Sequence, residues 1–237
     1  MMRSLRELMD LQGRVAVVTG GAGHIGAVTC QALAELHAKV VVLDRAENAA
    51  ATVAGEVQET YGVEAVPLVV DLEDEGAVRS VRQRVMDRFG RIDILVHCAA
   101  CGGDAELSGW AVPFEEQSVQ AWEAAIRVNL TAAFILVQET RKALESSGHG
   151  SVILMASIYG MVGPDHRLYE GLEMASPAGY SASKGGLLQL TRHLATTLAP
   201  RVRVNAVSPG GVWRRHPEVF HQRYVSYLVG LDRPQGL

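Results

Sequence analysis

Val15-Ala16-Val17-Val18-Thr19-Gly20-Gly21-Ala22-Gly23-His24-Ile25-Gly26 decides how this chain is read. A Val-rich run of strand character leads into a glycine-rich turn, and a helical segment opens at its far side. Gly20, Gly23 and Gly26 follow a G-x-x-G-x-x-G spacing. Residues without Cβ let the backbone approach a pyrophosphate and let the helix pack against the strand. The helix N-terminus then offers free N–H groups and a positive dipole end to the phosphates. A glycine triplet alone would be weak, because tight turns use glycine for its backbone freedom. Flanked by a strand and a helix, it favours the nucleotide reading.

Working outward, strand-like segments at 14–19, 39–44, 64–70, 92–97, 151–156 and 202–207 alternate with helical ones. The helices are expected at 25–36, 46–61, 73–89, 118–146, 178–198 and 217–229, with Ser176-Pro177 as N-cap and first-turn proline of the fifth. The strands are short, rich in Val and Ile, and do not alternate apolar with polar. Such strands belong to a parallel sheet covered by helices on both faces. The pattern predicts an α/β fold with a doubly wound parallel sheet, its ligand at the carboxyl ends of the strands. With no linker, repeat or low-complexity segment, residues 1–237 are expected to form a single domain.

The chain has 237 residues, 48% of them hydrophobic, enough for one large core. A formal charge of −4 and a pI near 6.1 give no reason to expect a nucleic acid or an anionic membrane as partner. The apolar runs are strand-length, far short of a span, and residues 1–14 lack the apolar core of a signal peptide. A cytoplasmic protein is expected. Cys98-Ala-Ala-Cys101 has C-x-x-C spacing, but no second Cys/His pair stands nearby, so a redox or metal role is not favoured.

Tyr180-Ser181-Ala182-Ser183-Lys184 places a phenol and an amine at i, i+4, on one face of the predicted helix. A cation beside a phenol favours its ionised form and equips it for acid–base work. The chain has only three lysines, Lys39, Lys142 and Lys184. Tyr159 and Tyr169 have no cation four residues on, which leaves Tyr180 the better candidate. Asp44, closing the second strand, is placed to accept from both ribose hydroxyls and would repel a 2′-phosphate, favouring NAD. The neighbouring Arg45 could clamp that phosphate, so NADP remains an alternative, and the pair could also be an ordinary helix-capping turn.

Together these pieces resemble the short-chain dehydrogenases/reductases along almost the whole chain. The resemblance rests on 19–26, Asp71 after the third strand, Asn129 in Arg-Val-Asn-Leu-Thr, Ser157 in Met-Ala-Ser-Ile-Tyr-Gly, Tyr180-x-x-x-Lys184 and Val207-Ser-Pro-Gly-Gly211. It implies a Rossmann-type fold and hydride transfer between nicotinamide and a carbonyl or secondary alcohol. Tyr180 would exchange the proton at the substrate oxygen, and Ser157 would hydrogen-bond and polarise that oxygen. Lys184 would assist Tyr180 and hold the nicotinamide ribose, while Asn129 would support Lys184 through a water. Asp71 and the backbone near Leu72 would face the adenine. Ala99, Pro209, Gly210 and Val212 would border the cofactor. Each of these residues also has a purely structural reading.

His97-Cys98-Ala99-Ala100 stands where relatives usually carry Asn-Asn-Ala-Gly, and His24 stands where many carry glycine. The sequence stops at Leu237, soon after helix 217–229, so the sheet is expected to lack the last strand of its relatives. A loop and helix at about 210–230 should cover the cleft. Between Ser157 and Tyr180 lies an insert, 163–177, longer than relatives usually have. It carries Asp165, His166, Arg167, Tyr169 and Glu170, suited to hydroxyls or a phosphate. With Trp213-Arg-Arg-His-Pro-Glu and Tyr224-Val-Ser-Tyr, it resembles members encoded with flagellin-glycosylation and sialic-acid-like sugar pathways. That implies a small-molecule substrate of sugar type, with Arg214, Arg215 and His216 meeting phosphate. The alternatives are a 3-oxoacyl thioester reductase or a non-catalytic dinucleotide-binding sensor. By resemblance, helices 118–146 and 178–198 would pair across a two-fold axis into a homodimer or homotetramer.

Overall fold

The computed structural model describes residues 4–101, 107–213 and 216–229. In chain order the elements are α1 (Leu5–Met9), β1 (Val15–Thr19), α2 (His24–Glu35), β2 (Lys39–Asp44), α3 (Glu47–Tyr61), β3 (Ala65–Val69), α4 (Glu75–Phe89) and β4 (Ile94–His97). There follow α5 (Val119–Ile126), α6 (Ala132–Ser146), β5 (Gly150–Met155), α7 (Ala178–Leu198), β6 (Val202–Val207) and α8 (Glu218–Val229). The strands form one parallel sheet in the order β3-β2-β1-β4-β5-β6. Winding reverses between β1 and β4, which leaves a crevice at their carboxyl ends.

The sheet divides two cores. Val15 and Val17 of β1 pack toward α4, α6 and α7, while Ala16 and Val18 pack toward α2 and α3. Residues 15–18 are thus buried on both faces, as the unalternating sequence implies. The outer strands differ from that expectation. In β6, Val202 and Val204 are buried and Arg203 and Asn205 exposed; β3 alternates in part and holds Pro67. Among the described residues each has a single sheet neighbour, and such an edge tolerates proline's missing N–H.

Helix boundaries follow the caps. Asp74 accepts from the Ala77 N–H at 3.1 Å, so α4 starts at Glu75 and not at 73. Pro177, not Ser176, is the N-cap of α7, and the side chain that meets the first turn is Gln117, accepting from Ala178 N–H at 2.9 Å. The segment expected as one helix over 118–146 is α5 and α6 joined by a π turn at Arg127–Thr131. α1 was not anticipated, being too short to show a period.

The glycine turn is held by sterics. Gly20 has φ +61°, and a Cβ there would lie 2.7 Å from the Ala99 backbone. A Cβ on Gly26 would lie 1.9 Å from the Gly20 carbonyl oxygen. Gly26→Ala should therefore destabilise the fold by about 1–3 kcal/mol through overpacking. Thermal unfolding checks this, and a melting temperature equal to the wild type would contradict it.

Candidate active site

The carboxyl ends of β1 and β4 meet at Thr19 and His97, which are register partners and fully buried. Thr19 Oγ1 lies 2.9 Å from His97 Nδ1, and His97 Nε2 lies 3.2 Å from the Asn129 carbonyl. A carbonyl only accepts, so Nε2 carries the proton and Nδ1 accepts from the Thr19 hydroxyl. Burial, and secondarily the positive charge of Lys184, hold the His97 pKa down to about 3, keeping the ring neutral. Thr19 Oγ1 also accepts from the Ala99 N–H at 3.3 Å.

Asn129 lies within the π turn, a local distortion of the kind often found at functional sites. Its side-chain oxygen accepts from Cys101 N–H at 2.7 Å, and its amide donates to Ser183 Oγ at 2.9 Å. Ser183 in turn donates to the Tyr180 carbonyl at 2.8 Å. One hydrogen-bonded path thus runs from the glycine turn through β4 and the π turn into α7.

On α7, Lys184 is buried and donates to the Met155 carbonyl at 2.7 Å, at the end of β5. Its Nζ sits 5.6 Å from the Tyr180 ring centroid, so the i, i+4 spacing does bring amine and phenol together. Ser157, also buried, follows β5 and accepts from Tyr159 N–H at 3.2 Å. A short helical turn, Ile158–Gly160, presses Ser157's neighbours onto α7: a Cβ on Gly160 would lie 2.6 Å from the Lys184 carbonyl carbon. The other two phenols bond each other, Tyr159 Oη to Tyr169 Oη at 3.2 Å, and burial pushes the pKa of both upward. They stay protonated and serve as neutral hydrogen-bonding groups.

The turn residues fit a dinucleotide. Gly20 and Gly26 leave a cradle that Cβ atoms would fill, and Gly23, the N-cap of α2, brings no side chain to the first-turn N–H groups of His24, Ile25 and Gly26. Asp44 is half-buried; its carboxylate accepts from Ala22 N–H and Ala46 N–H, both at 3.1 Å, so it also fastens the turn. Arg45 is exposed beside it. Asp71 is exposed after β3, accepting from Glu73 N–H at 2.9 Å, whereas the Leu72 side chain enters the core. The Pro209 carbonyl accepts from Ile158 N–H at 3.1 Å, tying the 209–212 loop to the turn after Ser157. The Tyr224 hydroxyl bonds Gly211 N–H and crowds Gly210, and Val212 is half-buried.

The insert and α8 form one wall. Arg223 Nη1 donates to the Glu170 carbonyl at 2.6 Å and lies 3.4 Å from that of Leu168. Tyr169 and Phe220 rings pack with centroids 5.3 Å apart, and His216 stacks on Phe220 at 5.1 Å. Arg214 and Arg215 lie outside the described residues. A cavity of about 680 Å³ opens against the insert, lined by Ala111, Pro113, Arg167, Tyr169, Glu170 and Met174 among others. Ser157, Tyr180 and Lys184 are not in its wall; the link between them is Tyr169, which lines the cavity and bonds Tyr159, two residues after Ser157.

Burial pushes the Cys98 thiol up to about 11 and the Cys30 thiol to about 12, and raises Cys101 as well. These thiols are poorly suited to redox exchange. No group of His, Cys, Asp and Glu among the described residues has the arrangement of a metal site, and no described helix is long and apolar enough to cross a membrane. Sequence reasoning missed Ser183, Gln117 and the linking role of His97. The departure at 97 was visible, but its partners, distant in sequence, were not.

Comparisons with known proteins identify the family. The family described as short chain dehydrogenase matches residues 14–215. The cis-4-hydroxycyclohexanecarboxylate dehydrogenase of Sinomonas cyclohexanicum is 37% identical, over 83% of this chain and 72% of its own. A 3-oxoacyl-[acyl-carrier-protein] reductase of Aquifex aeolicus is 31% identical, over 85% and 75%. The crystal structure of an NAD+-bound xylitol dehydrogenase superposes with a TM-score of 0.73 at 30% identity, covering 90% of this chain and 75% of that one. Solved neighbours thus include an NAD+-bound protein, and another is complexed with NADPH. The chain belongs to the short-chain dehydrogenase/reductase family and is an NAD(P)-dependent oxidoreductase.

Proposed function

We propose that the enzyme prefers NAD and transfers a hydride between nicotinamide and a carbonyl or secondary alcohol of a polyhydroxylated, sugar-like substrate. The buried Lys184 ammonium against the Tyr180 ring, beside Ser157, carries the catalytic part of this reading. Bound NAD(P) supplies the hydride acceptor or donor. Tyr180 exchanges the proton at the substrate oxygen, and Ser157 donates a hydrogen bond to that oxygen. Lys184 offsets the negative charge that develops on the Tyr180 oxygen. Asn129 holds Ser183, and so the turn of α7 that bears Lys184.

The substrate class rests on the insert, whose Tyr169, Arg167 and Glu170 line a cavity beside the catalytic candidates, and on the likeness to a xylitol dehydrogenase. A phosphorylated or nucleotide-linked hexose of the flagellin-glycosylation or sialic-acid-like type is the narrower reading. It draws only on the insert and on the residues after Trp213, of which His216 already stacks on Phe220. In this single-domain reading the described residues 210–213 and 216–229 serve as the cover of the cleft, held to the insert by Arg223. Likeness to the Aquifex aeolicus reductase favours a 3-oxoacyl thioester as the second reading. Val119, Trp122 and Phe134, exposed on α5 and α6, suit a homodimer or homotetramer.

Following NAD(P)H absorbance over polyols, sugar phosphates, nucleotide sugars and acetoacetyl thioesters tests the substrate class; turnover of thioesters alone would overturn it. Tyr180→Phe should lower kcat by about a hundredfold or more while NADH still binds, and a variant with wild-type kcat would exclude Tyr180 as the proton-exchanging group. Asp44→Ala loosens the turn for both cofactors, so the ratio is the measurement. NAD affinity should fall about tenfold relative to NADP, and an unchanged preference would refute the assignment. Equilibrium sedimentation should show a species heavier than the 25.5 kDa chain.

A further inference from the structure

At position 97 the relatives this chain resembles usually carry Asn, and the histidine here reaches two partners on opposite sides. Its Nδ1 accepts from Thr19, the residue that leads into Gly20, and its Nε2 donates to the Asn129 carbonyl in the π turn. An Asn side chain can place its amide near the Nδ1 position but is too short to serve the Nε2 position as well. The imidazole spans both. All three residues are fully buried, so an unmade bond at either end would leave a polar group unpaired away from water.

We propose that His97 is a positioning residue with two separable tasks. Nδ1 fixes the Thr19–Gly20 turn for cofactor affinity, and Nε2–H fixes the Asn129 carbonyl and thereby the surroundings of Lys184. The first task follows from the Thr19 hydroxyl, which joins His97 on one side and the Ala99 N–H on the other. Ala99 is also the residue whose backbone stands against Gly20, so a shift of Thr19 shifts both walls of the phosphate turn. The second follows from Asn129, which bonds Cys101 N–H and Ser183 with its side chain while its carbonyl is held by His97. Ser183 immediately precedes Lys184 on α7.

Glutamine and asparagine divide the two tasks. In His97→Gln the amide nitrogen falls near the Nε2 position and still donates to Asn129, but the Thr19 hydroxyl loses its acceptor. In His97→Asn the amide oxygen falls near Nδ1 and keeps Thr19, but the Asn129 carbonyl loses its donor. NADH affinity is read by fluorescence titration, and the environment of Lys184 by the pH midpoint of its ε-methylene NMR signal. That signal is assignable because the chain has only three lysines. A ring-current change on replacing imidazole offsets the shift at every pH and leaves the midpoint alone.

His97→Gln should raise the NADH Kd about tenfold and leave the Lys184 midpoint where it is in the wild type. His97→Asn should keep the Kd within about twofold and move the midpoint away from the wild-type value, because the π turn that holds Ser183 beside Lys184 loses its bond to position 97. Equal changes in both variants, or none in either, would overturn the assignment. Each variant is read against the wild type on both measurements, so a single folded variant in which Kd and midpoint both change, or both stay, also overturns it. The proposal rests on dinucleotide binding and not on the substrate class. A panel without polyol turnover would sink the substrate reading and leave both measurements here intact.

Discussion

The site depends on the backbone of Gly20 lying directly against that of Ala99, with no side chain between them. This contact fixes the distance between the ends of β1 and β4, where the winding of the sheet reverses. Once those two ends are set, α2 aims its N-terminus across the crevice, and the Thr19–His97 pair closes the floor. The π turn and α7 are then attached through Asn129 and Ser183. A larger residue at position 20 would pry apart the strands and, with them, every group in this path.

Much of the fold was legible because its causes are local. Apolar runs without alternation marked β1 and β2 as interior strands, and glycine spacing marked the turn between strand and helix. Where the sequence misled, a neighbour was decisive. Pro67 and the alternating Val202–Asn205 are explained by position at the outside of the sheet, which no single segment reveals. The start of α4 moved to Glu75 through Asp74; α7 starts at Ala178 as expected, but its first turn is met by Gln117, 61 residues from its partner, and not by Ser176.

The candidate site was legible in its motif-bearing residues and opaque in what connects them. The spacing of Tyr180 and Lys184 puts them on one helix face, but it is the other motifs along the chain that single the pair out. The bond from Asn129 to Ser183 spans 54 residues, and those from His97 span 78 and 32. Such pairings arise from the packing of whole elements, so no local pattern encodes them. His97 shows the consequence: as a sequence feature it is a mismatch to the usual Asn, while in the folded chain it is a two-ended joint. Tyr159 and Tyr169 were set aside as proton-exchanging groups for want of a cation, and their mutual bond gives them another place in the wall of the cleft.

The guanidinium of Arg223 has a consequence of its own. By gripping the carbonyls at 168 and 170, it joins the segment after β6 to the stretch between Ser157 and Tyr180. These two stretches are free to diverge separately in a protein that lacks the strap. Here a change that displaces the 168–170 backbone also displaces the acceptors of Arg223, so the two stretches share one anchor.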